Sequence, residues 1–276
     1  MISIKELTTN LILDADGIWS SSKNKSLSYP EDGNAHCFQL EDSSYWFQHR
    51  NQVLSCVVKR YPPNGAIFDI GGGNGCVAKK LEEGGHEIVL IEPGRLGALN
   101  ARRRGLINVI CSTMEDAGFT NDSLPAVGLF DVLEHIEHDV AFLQKIRQLL
   151  VHRGMVYITV PAFTTLWSQE DVFAGHYRRY TLKSIASTLE KAGLHVVYSS
   201  YFFSFLTIPV FLLRSIPSRI GLRKQSKNMV TEKEHKQPSG LGGWYVNRAR
   251  KKELNCINTD GTLYWGSSCL VVARAD

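Results

Sequence analysis

Between Ala66 and Pro161 short apolar runs alternate with longer amphipathic ones. AIFDI, HEIVLIE, INVIC, AVGLFDV and MVYITVP read as strands, while NGCVAKKLEEGG, RLGALNARRRG and DVAFLQKIRQLLVHRG carry helical periodicity. Nearly continuous apolar strands separated by helices of ten or more residues belong to parallel βαβ units, in which helices cover both faces of a sheet. Right-handed crossovers bring the turns that leave the strands to the carboxyl edge, where ligands bind in such folds.

The first of these turns is the most specific. Gly71, Gly72 and Gly73 are consecutive, Gly75 follows, and Asp69 stands just ahead. Glycine permits positive φ and lets a ligand approach the backbone, and the helix beyond offers free amides to it. A phosphate-binding P-loop is excluded, because no Gly-Lys-Ser or Gly-Lys-Thr follows. In the dinucleotide fingerprint G-x-G-x-x-G, alignment on Gly71 and Gly73 puts Cys76 in the third glycine position. An NAD(P)-dependent oxidoreductase is thereby weakened but stays an alternative. Read from Asp69 through Gly71, Gly73 and Gly75, the turn has the form D-x-G-x-G-x-G.

In that form the chain resembles the class I S-adenosylmethionine (SAM) dependent methyltransferases, and further motifs in order carry the resemblance over residues 42 to 203. Glu92, closing the second strand, matches the acid that in this family holds both ribose hydroxyls. STMEDAGF (112–119) matches the segment that packs on adenine, although Thr113 stands where the family usually has an acid; Met114 and Glu115 are then expected to carry adenine recognition. LFDVLEHI (129–136) matches the fourth-strand motif, with Asp131 expected near the methionine moiety. VPAFTTLWSQEDVFAGHYRRYT looks like the segment after the sheet in the type 11/12 branch. The resemblance implies SAM as cofactor and transfer of its methyl group to a small-molecule or lipid-linked acceptor. It also implies a Rossmann-like, seven-stranded, mostly parallel α/β sheet with helices on both faces and the last strand antiparallel. A SAM-binding scaffold without catalysis is the non-enzymatic alternative.

On this reading residues 1–41 form an N-terminal arm and 42–276 one methyltransferase domain, with a helical cap at 42–62 and a variable insertion at 204–262 before the last strand. By resemblance the cap helix overlies the cofactor, so Trp46 is placed to cover the sulfonium and Arg50 to pair with the SAM carboxylate. With Asp69, Gly71, Gly72, Gly73, Glu92, Thr113, Met114, Glu115 and Asp131, these make up the expected cofactor set.

Methyl transfer needs alignment, exclusion of water and, for an alcohol or phenol, removal of a proton. His135 lies just past the fourth strand, and His176, with Tyr177 beside it, lies in the loop after the fifth; these three are the catalytic candidates. If Asp131, Glu134 and His135 share a helical face, they also suit a divalent ion, and some SAM methyltransferases carry a similar E-x-x-E-H motif. The fourth-strand motif explains the same residues without one, so no metal is expected.

A net charge of +4 allows an anionic partner without requiring one, and no aromatic-interleaved basic face or base-flipping motif points to nucleic acid. The start lacks a secretory pattern, so a cytoplasmic protein with reduced, scattered cysteines is expected. The run YFFSFLTIPVFLL (201–213) is too short to span a bilayer, and Pro209 argues against a plain core helix. With the arginines that follow, residues 201–224 admit two readings: a lid packed over the substrate, or a peripheral contact with anionic lipid.

Overall fold

The computed structural model describes residues 2–21, 38–222 and 239–276. Its strands are β1 (Leu11–Leu13), β2 (Trp19–Ser21), β3 (Ile67–Ile70), β4 (Ile88–Ile91), β5 (Val109–Cys111), β6 (Leu124–Phe130), β7 (Leu150–Pro161), β8 (Leu194–Phe202) and β9 (Ser268–Ala275). The helices that matter below are α1 (Tyr45–Arg60), α2 (Cys76–Glu83), α3 (Arg95–Arg103), α4 (Asp139–Leu149), α5 (Gln169–Ala174), α6 (Leu182–Lys191) and α7 (Gly240–Asn258).

Two central strands show why the chain folds as layers. All four residues of β3 and all four of β4 are buried, because successive side chains go to opposite faces and both faces are covered. Ile67, Ile88 and Leu90 pack with Val53, Leu54 and Val57 of α1 and Leu81 of α2. Phe68, Ile70, Val89 and Ile91 join the opposite layer, with Leu143 and Ile146 of α4 and Ile185 and Leu189 of α6. Each such fully buried side chain contributes about 1.5–3 kcal/mol.

The sheet runs β1-β2-β5-β4-β3-β6-β7-β9-β8. From β5 to β7 all pairings are parallel, and β9 lies antiparallel between β7 and β8, as the resemblance implies. The chain order turns back beside β3, which puts a topological switch point at the glycine turn.

Three features differ from the sequence reading. The described sheet has nine strands rather than seven, because part of the expected N-terminal arm pairs with it: β1 and β2 form a hairpin, and β2 runs parallel to β5. Asp14 ties that turn together, accepting from the amides of Asp16 and Ile18 and from Arg95 of α3. Three-residue strands are too short to show alternation, which is why the hairpin is not visible in the sequence. The rest of the arm, 22–37, lies outside the described residues.

The run after β8 is a broken helix, with helical turns at Thr207–Val210 and Ile216–Arg219 around a π-helical stretch at Phe211–Ser215. Pro209 is accommodated in the first turn, where its missing N–H has no intrahelical partner to lose. The expected variable insertion at 204–262 contains α7, which packs on α1. Residues 223–238 lie outside the described residues, no described helix is long and apolar enough to cross a membrane, and the described cysteines are free thiols.

Candidate active site

A cavity of about 1200 Å³ lies at the carboxyl ends of β3, β4, β6 and β7. It is lined by the whole expected cofactor set and by His135 and His176. Tyr177 is absent from the lining: its side chain is exposed, and only its backbone amide engages the site, donating to the Glu134 carbonyl. Of the three catalytic candidates, the cavity thus takes in His135 and His176 and leaves the Tyr177 side chain outside.

The glycine turn follows from backbone geometry. Gly71, Gly73 and Gly75 have φ of +71°, +54° and +78°, values that cost a residue with a Cβ. Gly72 is needed for space instead, because a Cβ there would lie 2.8 Å from both Asp69 Oδ2 and Leu90 Cδ1. The turn thus presses against a carboxylate that is 1% exposed and whose two oxygens have no hydrogen-bond partner among the described residues. Burial pushes Asp69 up to about 7, with Arg50 pulling it down and Glu92 pushing it further up. A buried carboxyl without donors is costly, so this position fits a ligand that brings donors or positive charge.

Glu92 has its orientation fixed by the same turn. Its Oε2 accepts from the Gly73 amide at 2.9 Å and its Oε1 from the Gly94 amide at 2.7 Å. Each oxygen keeps a further lone pair, which suits a pair of ribose hydroxyls. Burial raises its pKa, and the two amides oppose the rise. Across the cavity the Thr113 hydroxyl caps the helical turn Met114–Ala117, accepting from the Asp116 amide and donating to the Asp116 carboxylate. Met114 is buried on the lining, and Glu115 lies 3.6 Å from Lys145.

Over the turn, Arg50 donates to Asp131 Oδ2 at 2.7 Å, and its guanidinium lies 5.0 Å from the Trp46 ring and 5.2 Å from Phe47. Asp131 takes φ +59° at the end of β6 and accepts a second bond from Thr159. Arg50 Nε is buried and has no partner among the described residues. Trp46 is held by stacking on Phe203, with centroids 5.1 Å apart and planes 11° from parallel.

The histidines meet at the far side. Their rings pack edge to face with centroids 4.7 Å apart. Burial and the neighbouring His176 lower His135 to about 4, so at neutral pH its imidazole is uncharged. His176 Nδ1 lies 2.9 Å from Asp171 Oδ1, and Asp171 is gripped by Arg179 through Nε at 2.7 Å and Nη2 at 3.0 Å. Sequence reasoning missed Asp171 and Arg179. Asp171 did carry a signal, because Ser168 and Asp171 form the capping box that opens α5.

A family model described as a methyltransferase domain matches residues 45–199. No curated protein matches the chain. Among solved structures it is similar to a SAM-dependent methyltransferase from Archaeoglobus fulgidus, at 18% identity and TM-score 0.50 over 83% of this chain and 99% of that one. A SAM-dependent methyltransferase from Thermotoga maritima aligns at 15% identity and TM-score 0.52, over 89% of this chain and 96% of that one. Phosphoethanolamine N-methyltransferase 2 from Haemonchus contortus, solved with SAM, aligns at 16% identity and TM-score 0.51, over 90% of this chain and 58% of that one.

Proposed function

Given that the chain belongs to the methyltransferase-domain family and is a SAM-dependent methyltransferase, we propose that it methylates a small-molecule or lipid-linked acceptor carrying an apolar portion. The observation that carries this reading is the part of the cavity wall formed by Leu206, Pro209, Val210, Leu213 and Arg214. That wall is apolar with one cation, and the cavity exceeds the roughly 300–1,000 Å³ typical of a pocket for one ligand, which leaves room for donor and acceptor together. Exposed Ile208, Leu212 and Leu213 on the same segment, with Arg214 and Arg219, support the lipid-linked form of the acceptor.

The chain's residues take these roles. Glu92 holds the ribose hydroxyls of the donor and Asp69 a positively charged or donor group of it, Arg50 and Trp46 close over it, and Met114 with its neighbours packs on the adenine. Bound SAM supplies an electrophilic methyl carbon on a positively charged sulfur. His176 faces the acceptor side as a base: Asp171 fixes its Nδ1, leaving Nε2 to take a proton from the acceptor. The broken helix at 207–219 keeps water from that space.

Methyl-labelled SAM incubated with fractionated lysate is expected to place label in small-molecule or lipid fractions. Label confined to protein or RNA would overturn the acceptor class. His176→Ala is expected to slow turnover by about 100-fold with SAM affinity preserved. An unchanged rate would remove it from the mechanism.

A further inference from the structure

The sequence pattern groups Asp131, Glu134 and His135, but the fold joins a different trio. Asp131 is already committed to Arg50 and Thr159, whereas Glu134, His135 and His176 each offer a ligand atom, all within 4.8 Å of one another. We propose that Glu134, His135 and His176 form a binding site for a divalent first-row metal ion, which holds an oxygen nucleophile of the acceptor beside the donor.

Four observations support the site. Glu134 is 1% exposed, its Oε2 has no hydrogen-bond partner among the described residues, and none of the described ion pairs includes it. The nearby arginines are otherwise engaged, Arg50 by Asp131 and Arg179 by Asp171. His176 is oriented through Nδ1 by a carboxylate, the arrangement that fixes metal-ligating imidazoles, and Nε2 remains for the ion. Finally, all three residues line the cavity, so an ion there meets the acceptor space directly.

Two imidazoles and one carboxylate suit zinc, cobalt, manganese or iron better than calcium or magnesium, which prefer oxygen alone. Ligand atoms about 2.0–2.2 Å from a tetrahedral ion stand about 3.4 Å apart, so side-chain rotations of about 1 Å would close the trio. Three protein ligands leave a coordination position open for an acceptor hydroxyl. With Nε2 of His176 on the ion, the role of base passes to the metal, which acidifies the bound hydroxyl so that its proton leaves to solvent. Its oxygen would then form the C–O bond to the methyl carbon as the C–S bond breaks, leaving that electron pair on sulfur.

The acceptor role rests on the methyl-transfer reading, whereas occupancy of the site does not. The test is Co²⁺ titration of the full chain without SAM, followed by visible absorption and equilibrium dialysis, with SAM affinity measured on the same samples. Wild type is expected to bind Co²⁺ with ligand-field bands, and Glu134→Gln and His176→Ala are each expected to weaken binding at least about 10-fold. The nearly isosteric glutamine spares the buried packing, and the partly exposed His176 position gives a second variant with little risk to folding. Absence of Co²⁺ binding in wild type, or unchanged affinity in both variants, would overturn the metal site. Loss of SAM binding in wild type would instead count against the methyl-transfer reading.

Discussion

Asp69→Ala and Glu92→Ala are each expected to weaken SAM binding by about 100-fold or more, as read by calorimetry on folded protein. Each removes charged acceptors, and a hydrogen bond to a charged group is worth about 1.5–3 kcal/mol, so two such bonds span roughly two to four powers of ten. The two losses have different origins. Glu92 is held by the Gly73 and Gly94 amides, and its removal also frees the glycine turn that should meet the donor. Asp69 has no partner among the described residues, so its alanine variant should fold with little penalty and lose the ligand. Since burial holds Asp69 near 7, a donor that prefers the ionised carboxylate should bind more tightly as pH rises from 6 to 8. Asp69→Asn should abolish that pH dependence. Wild-type affinity in both alanine variants would sink the assignment of the cofactor site.

The second large effect falls on stability. Glu253 of α7 is 1% exposed and serves four groups at once: His49 of α1 at 2.7 Å, the Phe203 amide at 2.7 Å, the Ser204 amide at 2.9 Å and the Ser204 hydroxyl at 2.7 Å. It therefore clamps the turn after β8, where Phe203 takes φ +58°, and Phe203 in turn stacks on Trp46 at the cavity wall. Glu253→Ala leaves these donors buried and unpaired, which is expected to cost about 3–5 kcal/mol and to lower Tm by roughly 6–20 °C. A Tm within 2 °C of wild type, by the ~2–4 °C per kcal/mol expected for a chain this long, would show that the clamp is dispensable.

The sign of its pH dependence follows from the same contacts. Burial alone would raise the Glu253 carboxyl, but His49 and the Ser204 donors outweigh it and hold the group below its ordinary value. A depressed carboxylate contributes stability above its unfolded pKa and loses it as pH falls through the folded one. Wild type should therefore lose stability below about pH 4, and Glu253→Gln should lack that component.

The central sheet was legible because its signal is local. Ile88–Ile91 is apolar at every position and Ile67–Ile70 at all but Asp69, a pattern that suits a strand covered on both faces, and the glycines beside Asp69 announce a turn that no side chain could fill. The acid at 92 was legible through family resemblance, as the residue that closes the second strand. The antiparallel entry of β9 came from family resemblance, since alternation alone gives only a parallel sheet. The β1–β2 hairpin and α7 were missed for opposite reasons: three residues are too few to reveal a period of two, and a long helix with a weak apolar stripe, set in the variable insertion, shows no clear period of 3.6.

Thus the amino-acid sequence determined the layered α/β core, the donor-binding turn and the family, because each depends on residues within a few positions of one another. Tertiary structure alone decided which groups meet in the cavity. It paired Arg50 with Asp131 across 81 positions and His49 with Glu253 across 204, and it turned Tyr177 outward while bringing His176 against His135. Such contacts depend on where chain crossovers end and on which loop folds over the sheet edge, and no local periodicity records that.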